Sequence, residues 1–391
     1  MQKALFTWSL IATCLTSSVV VAAPPPPAPQ TSGASTPTPT PSADQSARPT
    51  MQKFAENLSL LLLNLGALET APTVQQSSIV IQSLKELKGL AHNVEPTLEL
   101  YTVDPVMRYL SLDLPKQFSR IEAAYTAQNY GYARFLLRQT TSYCVGCHAS
   151  SSIKKSAVMQ FAEPSPQLSE LEKAEYFSAT RRHDEAMLAY EKFLADRLMK
   201  HTDPDRWLKA LQNLLALTIR LRGDASITLE MISARLDEGG YSPEQEAMLM
   251  AWRSSAKSWS TEPLGKNYQA HILLEKAQQL AAKAEGLNKK GQGRGFIEQM
   301  RTMSLLNQIS MGDAGPEVKA KTFLATGKTS EQLQGIFVWM HPEAYYEACI
   351  RIKPHSVTAK ACWAQLDSYQ KGRKDALLDK QAFSQLSELS R

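Results

Sequence analysis

The chain is 391 residues long, 43% apolar and 21% charged, with a formal net charge of +5. So mild a basic excess, with no basic stripe interleaved with aromatic residues, argues against nucleic acid as a partner. Alternating strand patterns are absent, and the expected fold class is all-α.

Lys3 provides a short basic start, and Leu5 to Val21 is largely apolar. That stretch is too short and too rich in Ser and Thr for a good membrane span, and reads as an export signal. Small residues in Val20-Val21-Ala22-Ala23 suit a signal peptidase, and Pro24 disfavours cleavage directly before it. Residues 1–22 are therefore the expected signal peptide, and the mature chain is expected in the periplasm without a transmembrane helix. Cys14 follows Thr13, a poor residue before a lipidated cysteine, so lipid anchoring is not expected.

Residues 23–50 read as a linker. Pro24 to Pro27, Pro29, Pro37, Pro39, Pro41 and Pro49 alternate with Ser, Thr and Ala, a composition that buries no core and favours extended backbone. It is either a tether for the following domain or a plain spacer.

Residues 51–164 predict a helical bundle. Phe54, Leu58, Leu61, Leu62, Leu65 and Leu68 recur in steps of three and four. A second helix is expected from Val74 to His92, with Ile81, Leu84, Leu87 and Ala91 inward. Asp104-Pro105 starts a short helix through Leu110. Pro115 opens a third main helix, with Phe118, Ile121 and Tyr125 inward. After a turn at Asn129-Tyr130-Gly131, a fourth helix carries Phe135, Leu136, Gln139 and Tyr143.

That helix leads into Cys144-Val145-Gly146-Cys147-His148. The pattern C-x-x-C-H is that of covalent haem attachment. On a helix, positions i, i+3 and i+4 share a face, so two thiols reach one porphyrin edge and the imidazole turns to the iron. Cys144, Cys147 and His148 are thus the expected cofactor-binding residues, with one haem c and His148 as proximal iron ligand. A thioredoxin-like pair needs a preceding strand, and a zinc site needs two more ligands; neither is in evidence nearby.

A four-helix bundle with C-x-x-C-H at the end of its last helix resembles the cytochrome c-prime family. The resemblance covers about residues 51–155, and Asn64-Leu65-Gly66-Ala67-Leu68 is similar to the middle of that family's first helix. It implies that the position facing the distal side of the haem falls on or near Leu58, a residue that cannot bind iron. The family usually has an arginine four residues after the haem histidine; this chain has Ser152, with Lys154 and Lys155 just beyond.

The sixth iron ligand stays open. Met51, Met107, Met159 and His92 are candidates, each also readable as core filler or surface, and an open position is equally consistent. Arg134 and Arg138 can pair with haem propionates or form a solvated face. Lys154 and Lys155 either steer an acidic partner or belong to a charged loop.

Residues 165–391 resemble tetratricopeptide repeats. Glu172 to Phe177 with Arg182 to Leu194 has the pattern best, with Ala186 small between helices and Tyr190 and Phe193 filling the gap. Further pairs are expected at Trp207–Leu221 with Ser226–Leu236, Pro243–Trp259 with Asn267–Ala284, Phe296–Met311 with Pro316–Leu324, and Tyr345–Ile352 with Ser356–Tyr369. Such a solenoid offers a concave docking surface. Cys349 and Cys362 flank the last turn and are expected to form a disulfide. Gly291-Gln292-Gly293-Arg294-Gly295 lacks the preceding strand of a phosphate loop and reads as a flexible connection.

No Ser/His/Asp arrangement, HExxH pair or second C-x-x-C-H is present. The residues therefore point away from an enzyme and toward a redox subunit or electron carrier that docks a partner protein. A five-coordinate haem protein for a small gas ligand, and a periplasmic scaffold, are the alternatives.

Overall fold

A computed structural model describes residues 43–66, 72–92, 105–150, 163–180, 182–262, 269–337, 340–371 and 380–391. The expected signal peptide and most of the linker lie outside these residues. From Ser42 onward the chain forms one compact unit. The described residues are all-helical, without strands, in 16 α-helices. None of them is long and apolar enough to cross a membrane.

The first four helices are α1 (Ala43–Leu61), α2 (Val74–His92), α3 (Val106–Thr126) and α4 (Tyr130–Ser150). The amphipathic stripes behave as helical periodicity requires: Phe54, Leu58, Leu61, Leu62 and Leu65 are all buried, together with Leu84, Leu87, Phe118 and Ile121. Leu68 falls outside the described residues. Helix α1 extends back to Ala43 and includes Pro49, so the last part of the expected linker is helical. Between Leu62 and Gly66 the helix widens to a π-helical turn that packs on α2 and α4.

Two side chains depart from the expected stripe. Val80 is buried and Ile81 is exposed, because Val80 lies one turn before Leu84 on the arc that continues through Leu87 and Ala91. Phe135 is also exposed and stacks on Tyr132 at 6.2 Å, outside the bundle. Leu136 and Leu137 take the inward positions of α4.

Helix α3 is continuous where two helices were expected. Pro115 lies within it, removing one backbone donor and crowding the preceding turn. Packing on both sides compensates for that cost. Val106 and Leu110, before Pro115, belong to the core of the following region; Phe118, Ile121 and Tyr125, after it, belong to the bundle core. The chain direction reverses at Ala127 to Asn129, with Gln128 in the left-handed region at φ 59°. Asn129 Oδ1 then accepts from Tyr132 N at 3.2 Å and caps α4.

The second region contains α5 (Glu170–Ala179), α6 (His183–Leu194), α7 (Arg197–Thr202), α8 (Pro204–Leu217), α9 (Ala225–Glu238), α10 (Pro243–Ser260), α11 (Ala270–Lys289), α12 (Phe296–Met311), α13 (Pro316–Leu333), α14 (Pro342–Ile352), α15 (Val357–Lys371) and α16 (Lys380–Ser390). The helix α5 opens with a full capping box between Ser169 and Glu172. It forms the expected hairpin with α6. Thereafter α9 packs with α10, α11 with α12 and α13 with α14, one helix out of step with the expected pairs, while α14 with α15 is the expected last pair. A second π-helical turn, Thr218–Arg222, carries the chain off α8, and α9 packs against that turn. Helices α7 and α16 had no counterpart in the expected pairs.

The glycine-rich connection before α12 is pinned rather than flexible. Trp252 Nε1 donates to Gly293 O at 2.8 Å, and Gly295 N donates to Asn288 Oδ1 at 2.8 Å. A side chain at Gly295 would place its Cβ 2.4 Å from Ala284 O, so only glycine lets the α11–α12 hairpin close. At the far end, Cys349 and Cys362 are disulfide-bonded, with Cα atoms 6.3 Å apart and both residues buried.

The bundle core does not end at residue 164. Leu168, Tyr176 and Ala179 lie in it, while α3 gives Val106 and Leu110 to the other core. Tyr109 of α3 also donates its hydroxyl proton to Glu347 of α14.

Candidate functional site

Helix α4 carries Cys144, Cys147 and His148 at its C-terminal end, with helical backbone through Ser150. The side chains from Thr141 to Ser150 lie outside the described residues, as do Lys154, Lys155 and Met159. Register nevertheless orders the helix. Positions 144, 147 and 148 continue the arc of Ala133, Leu137 and Thr140, all buried. The motif is therefore in helical register with the buried stripe of α4.

Three neighbours hold that helix. Helix α3 packs along it, and the π-helical turn of α1 and helix α5 also pack against it. Thr140 Oγ1 donates to Leu136 O at 2.8 Å, satisfying a buried hydroxyl inside the helix. Leu58, at the register that the resemblance assigns to the distal side, is 2% exposed and surrounded by apolar core residues. Of the candidate sixth ligands, Met51 is half-buried in α1 and His92 is exposed at the end of α2. Met107 lies in α3, its side chain outside the described residues. Arg138 Nη2 lies 3.6 Å from Glu172 Oε1 of α5.

That ion pair opens onto a polar cluster the sequence did not reveal. Glu175 lies one turn after Glu172, and its Oε2 is buried without a hydrogen bond. Burial holds its carboxyl up at about 7, against an ordinary value of 4.5; Glu172 adds to the rise, while Arg138, Arg206 and Lys209 oppose it. Lys209 of α8 is pushed down to about 8 by burial, with Glu175 opposing. Burial lowers Arg206, and the like charge of Arg138 adds to that. The hydroxyl of Tyr190 on α6 accepts from Asn213 Nδ2 at 3.3 Å; its proton is held more tightly through burial and the Glu175 charge.

Linkage gives this cluster a measurable sign. Because the native value of Glu175 lies above the unfolded one, its stabilising contribution is complete below pH 4.5 and declines as pH rises to about 7. The decline is worth about 3 kcal/mol at 1.36 kcal/mol per pKa unit. Glu175→Gln should flatten it, leaving the variant more stable than the parent at about pH 8. Urea unfolding at acidic and alkaline pH tests this, and parallel profiles for the two proteins would refute it.

Among the described residues no group of three or more His, Cys, Asp or Glu is placed to hold a metal ion. His201, His271 and His355 are exposed, and buried His341 has Nδ1 3.2 Å from Glu343 Oε1. Comparisons with protein-family models, with curated proteins and with solved structures find no significant match.

Proposed function

We propose that this protein is an exported mono-haem c-type cytochrome, a one-electron carrier or redox subunit whose second region docks a partner protein. The observation that supports it best is a single uninterrupted helix carrying C-x-x-C-H at its end, in register with its buried stripe. The donor set fits haem c: two thiols for the thioether bonds and an imidazole one position later, all within one helical turn. Haem bound there supplies a one-electron iron couple.

The chain's own groups do the rest. Cys144 and Cys147 tether, and His148 ligates from the proximal side. The Arg138 guanidinium is engaged by Glu172, so it bridges α4 and α5 while staying partly exposed. The disulfide between Cys349 and Cys362 suits the oxidising periplasm that the N-terminal signal implies. The stacked hairpins after residue 165 suit a tetratricopeptide-like docking solenoid, with the pairing register found in the fold.

One observation favours a second reading for the same haem. Buried Leu58 at the family's distal register would leave the sixth position apolar and open, which suits a bound small gas. Optical spectra of the mature protein, oxidised, reduced and reduced with carbon monoxide, separate the readings. A mainly high-spin, five-coordinate spectrum with a carbon monoxide adduct is expected. A low-spin spectrum with a methionine-to-iron band would overturn the open site, and substituting Met51, Met107 and Met159 singly would then find the sulfur.

A further inference from the structure

The last helix sits on a hairpin that is held together without it. Helix α14 buries eight of its 11 residues, and the disulfide between Cys349 and Cys362 joins it to α15. Helix α16 packs on both, yet among its described side chains only Leu386 and Ser390 are buried. Phe383 and Leu389 are half-buried, and the Phe383 ring lies 4.5 Å from that of Trp363 on α15. Leu389 O accepts from His355 N at 2.7 Å. His355 is in the left-handed region at φ 57°, which disfavours a non-glycine residue and persists only where the surroundings hold it. A helix of 11 residues is also short; isolated helices below about 12–15 residues are marginal in water. The helicity of α16 therefore depends on the seat beneath it, whereas the seat is fixed by a covalent cross-link.

We propose that α16 is a displaceable plug, occupying in cis a seat on α14 and α15 that takes an amphipathic helix of a partner protein. This rests on the docking role proposed above for the second region, and gives that role a place. The partner's chemistry follows from the plug. Phe383, Leu386 and Leu389 stand at i, i+3 and i+6, on one face of a helix. A helix laid in a groove is recognised by apolar anchors at such spacing. The partner helix thus carries one aromatic and two aliphatic side chains in that order, to meet Trp363 and the apolar core around Leu366. Undocking exposes one fully buried apolar side chain of α16, Leu386, so this end of the chain suits local exchange. The cross-linked hairpin stays behind as a preformed seat, which spares the incoming helix the cost of ordering it.

The test uses the full-length protein and a fluorescent peptide of residues 380–391. The parent should bind the peptide weakly, because the tethered helix competes at an effective concentration on the order of millimolar. Leu386→Asp in the protein loosens the plug and should bind the same peptide at least about tenfold more tightly. Phe383→Ala should act in the same direction. A peptide that keeps Phe383, Leu386 and Leu389 but has Ala, Glu and Lys elsewhere should bind as well as the native one, and a Leu386→Asp peptide should not bind. Hydrogen exchange of the parent needs no variant: amides of α16 should exchange at least about tenfold faster than those of α14 and α15. Equal affinity of parent and variants, loss of binding by the resurfaced peptide, or α16 amides as protected as those of α14 overturns the inference. A parent dimer that is lost in Leu386→Asp assigns the seat to a second copy and overturns it as well. Each of these failures leaves the haem reading, and docking through another face, intact. A protein without a haem spectrum overturns the cytochrome reading and leaves the peptide results standing.

Discussion

Replacing Cys144 and Cys147 together by alanine should remove all covalently held haem from the chain. In the parent, acid-acetone extraction should leave the chromophore with the polypeptide, because two thioethers survive conditions that release a merely ligated porphyrin. Each single substitution should keep one thioether and so retain haem through extraction, with a shifted reduced spectrum. His148→Ala should retain the haem yet lose its proximal nitrogen, which separates attachment from ligation. The reason lies in the helix: positions 144, 147 and 148 lie on one arc of α4, so under the proposed function tether and ligand would serve the same porphyrin. Parent protein whose haem extracts completely would sink the central proposal.

Tyr176→Ala should cost about 3–5 kcal/mol, the range for removing a large, fully buried aromatic side chain. Tyr176 is 0% exposed, its ring meets Phe177 edge-on at 6.0 Å, and it lies in the bundle core although α5 belongs to the second region. Burial also holds its phenol proton to about 12, with the nearby Arg182 opposing. Because the two cores share α3 and α5, unfolding should stay a single transition at a lower midpoint rather than split into two. Ending the chain at Pro164 deletes Leu168, Tyr176 and Ala179 from the same core and should be worse still. Denaturant titration followed by circular dichroism measures both. A loss below about 1 kcal/mol for Tyr176→Ala would mean that the cavity collapses or that the bundle core closes without α5.

Local patterning carried much of the fold. Helical periodicity located the buried faces of α1 and most of α2, and the C-x-x-C-H spacing is complete within five residues of one helix. Cys349 and Cys362 are likewise near in sequence, across a single turn. Such features depend on residues within a few turns of each other, where backbone geometry alone sets what meets what. They are legible without knowing the fold.

Three features were decided only by tertiary packing. Pro115 marks a break by local rules, yet α3 runs through it because its two halves are buried in different cores. The hairpin register of the second region could not be read from adjacency, since a helix with short connections on both sides can pack on either neighbour. The π-helical turn at Thr218–Arg222 and the close approach at Gly295 make that choice. The polar cluster gathers Arg138, Glu172, Glu175, Tyr190, Arg206 and Lys209 from four helices. Each reads by itself as an ordinary surface or interhelical residue. Its chemistry depends on burial and on the sum of neighbouring charges, and both exist only once α4, α5, α6 and α8 have come together.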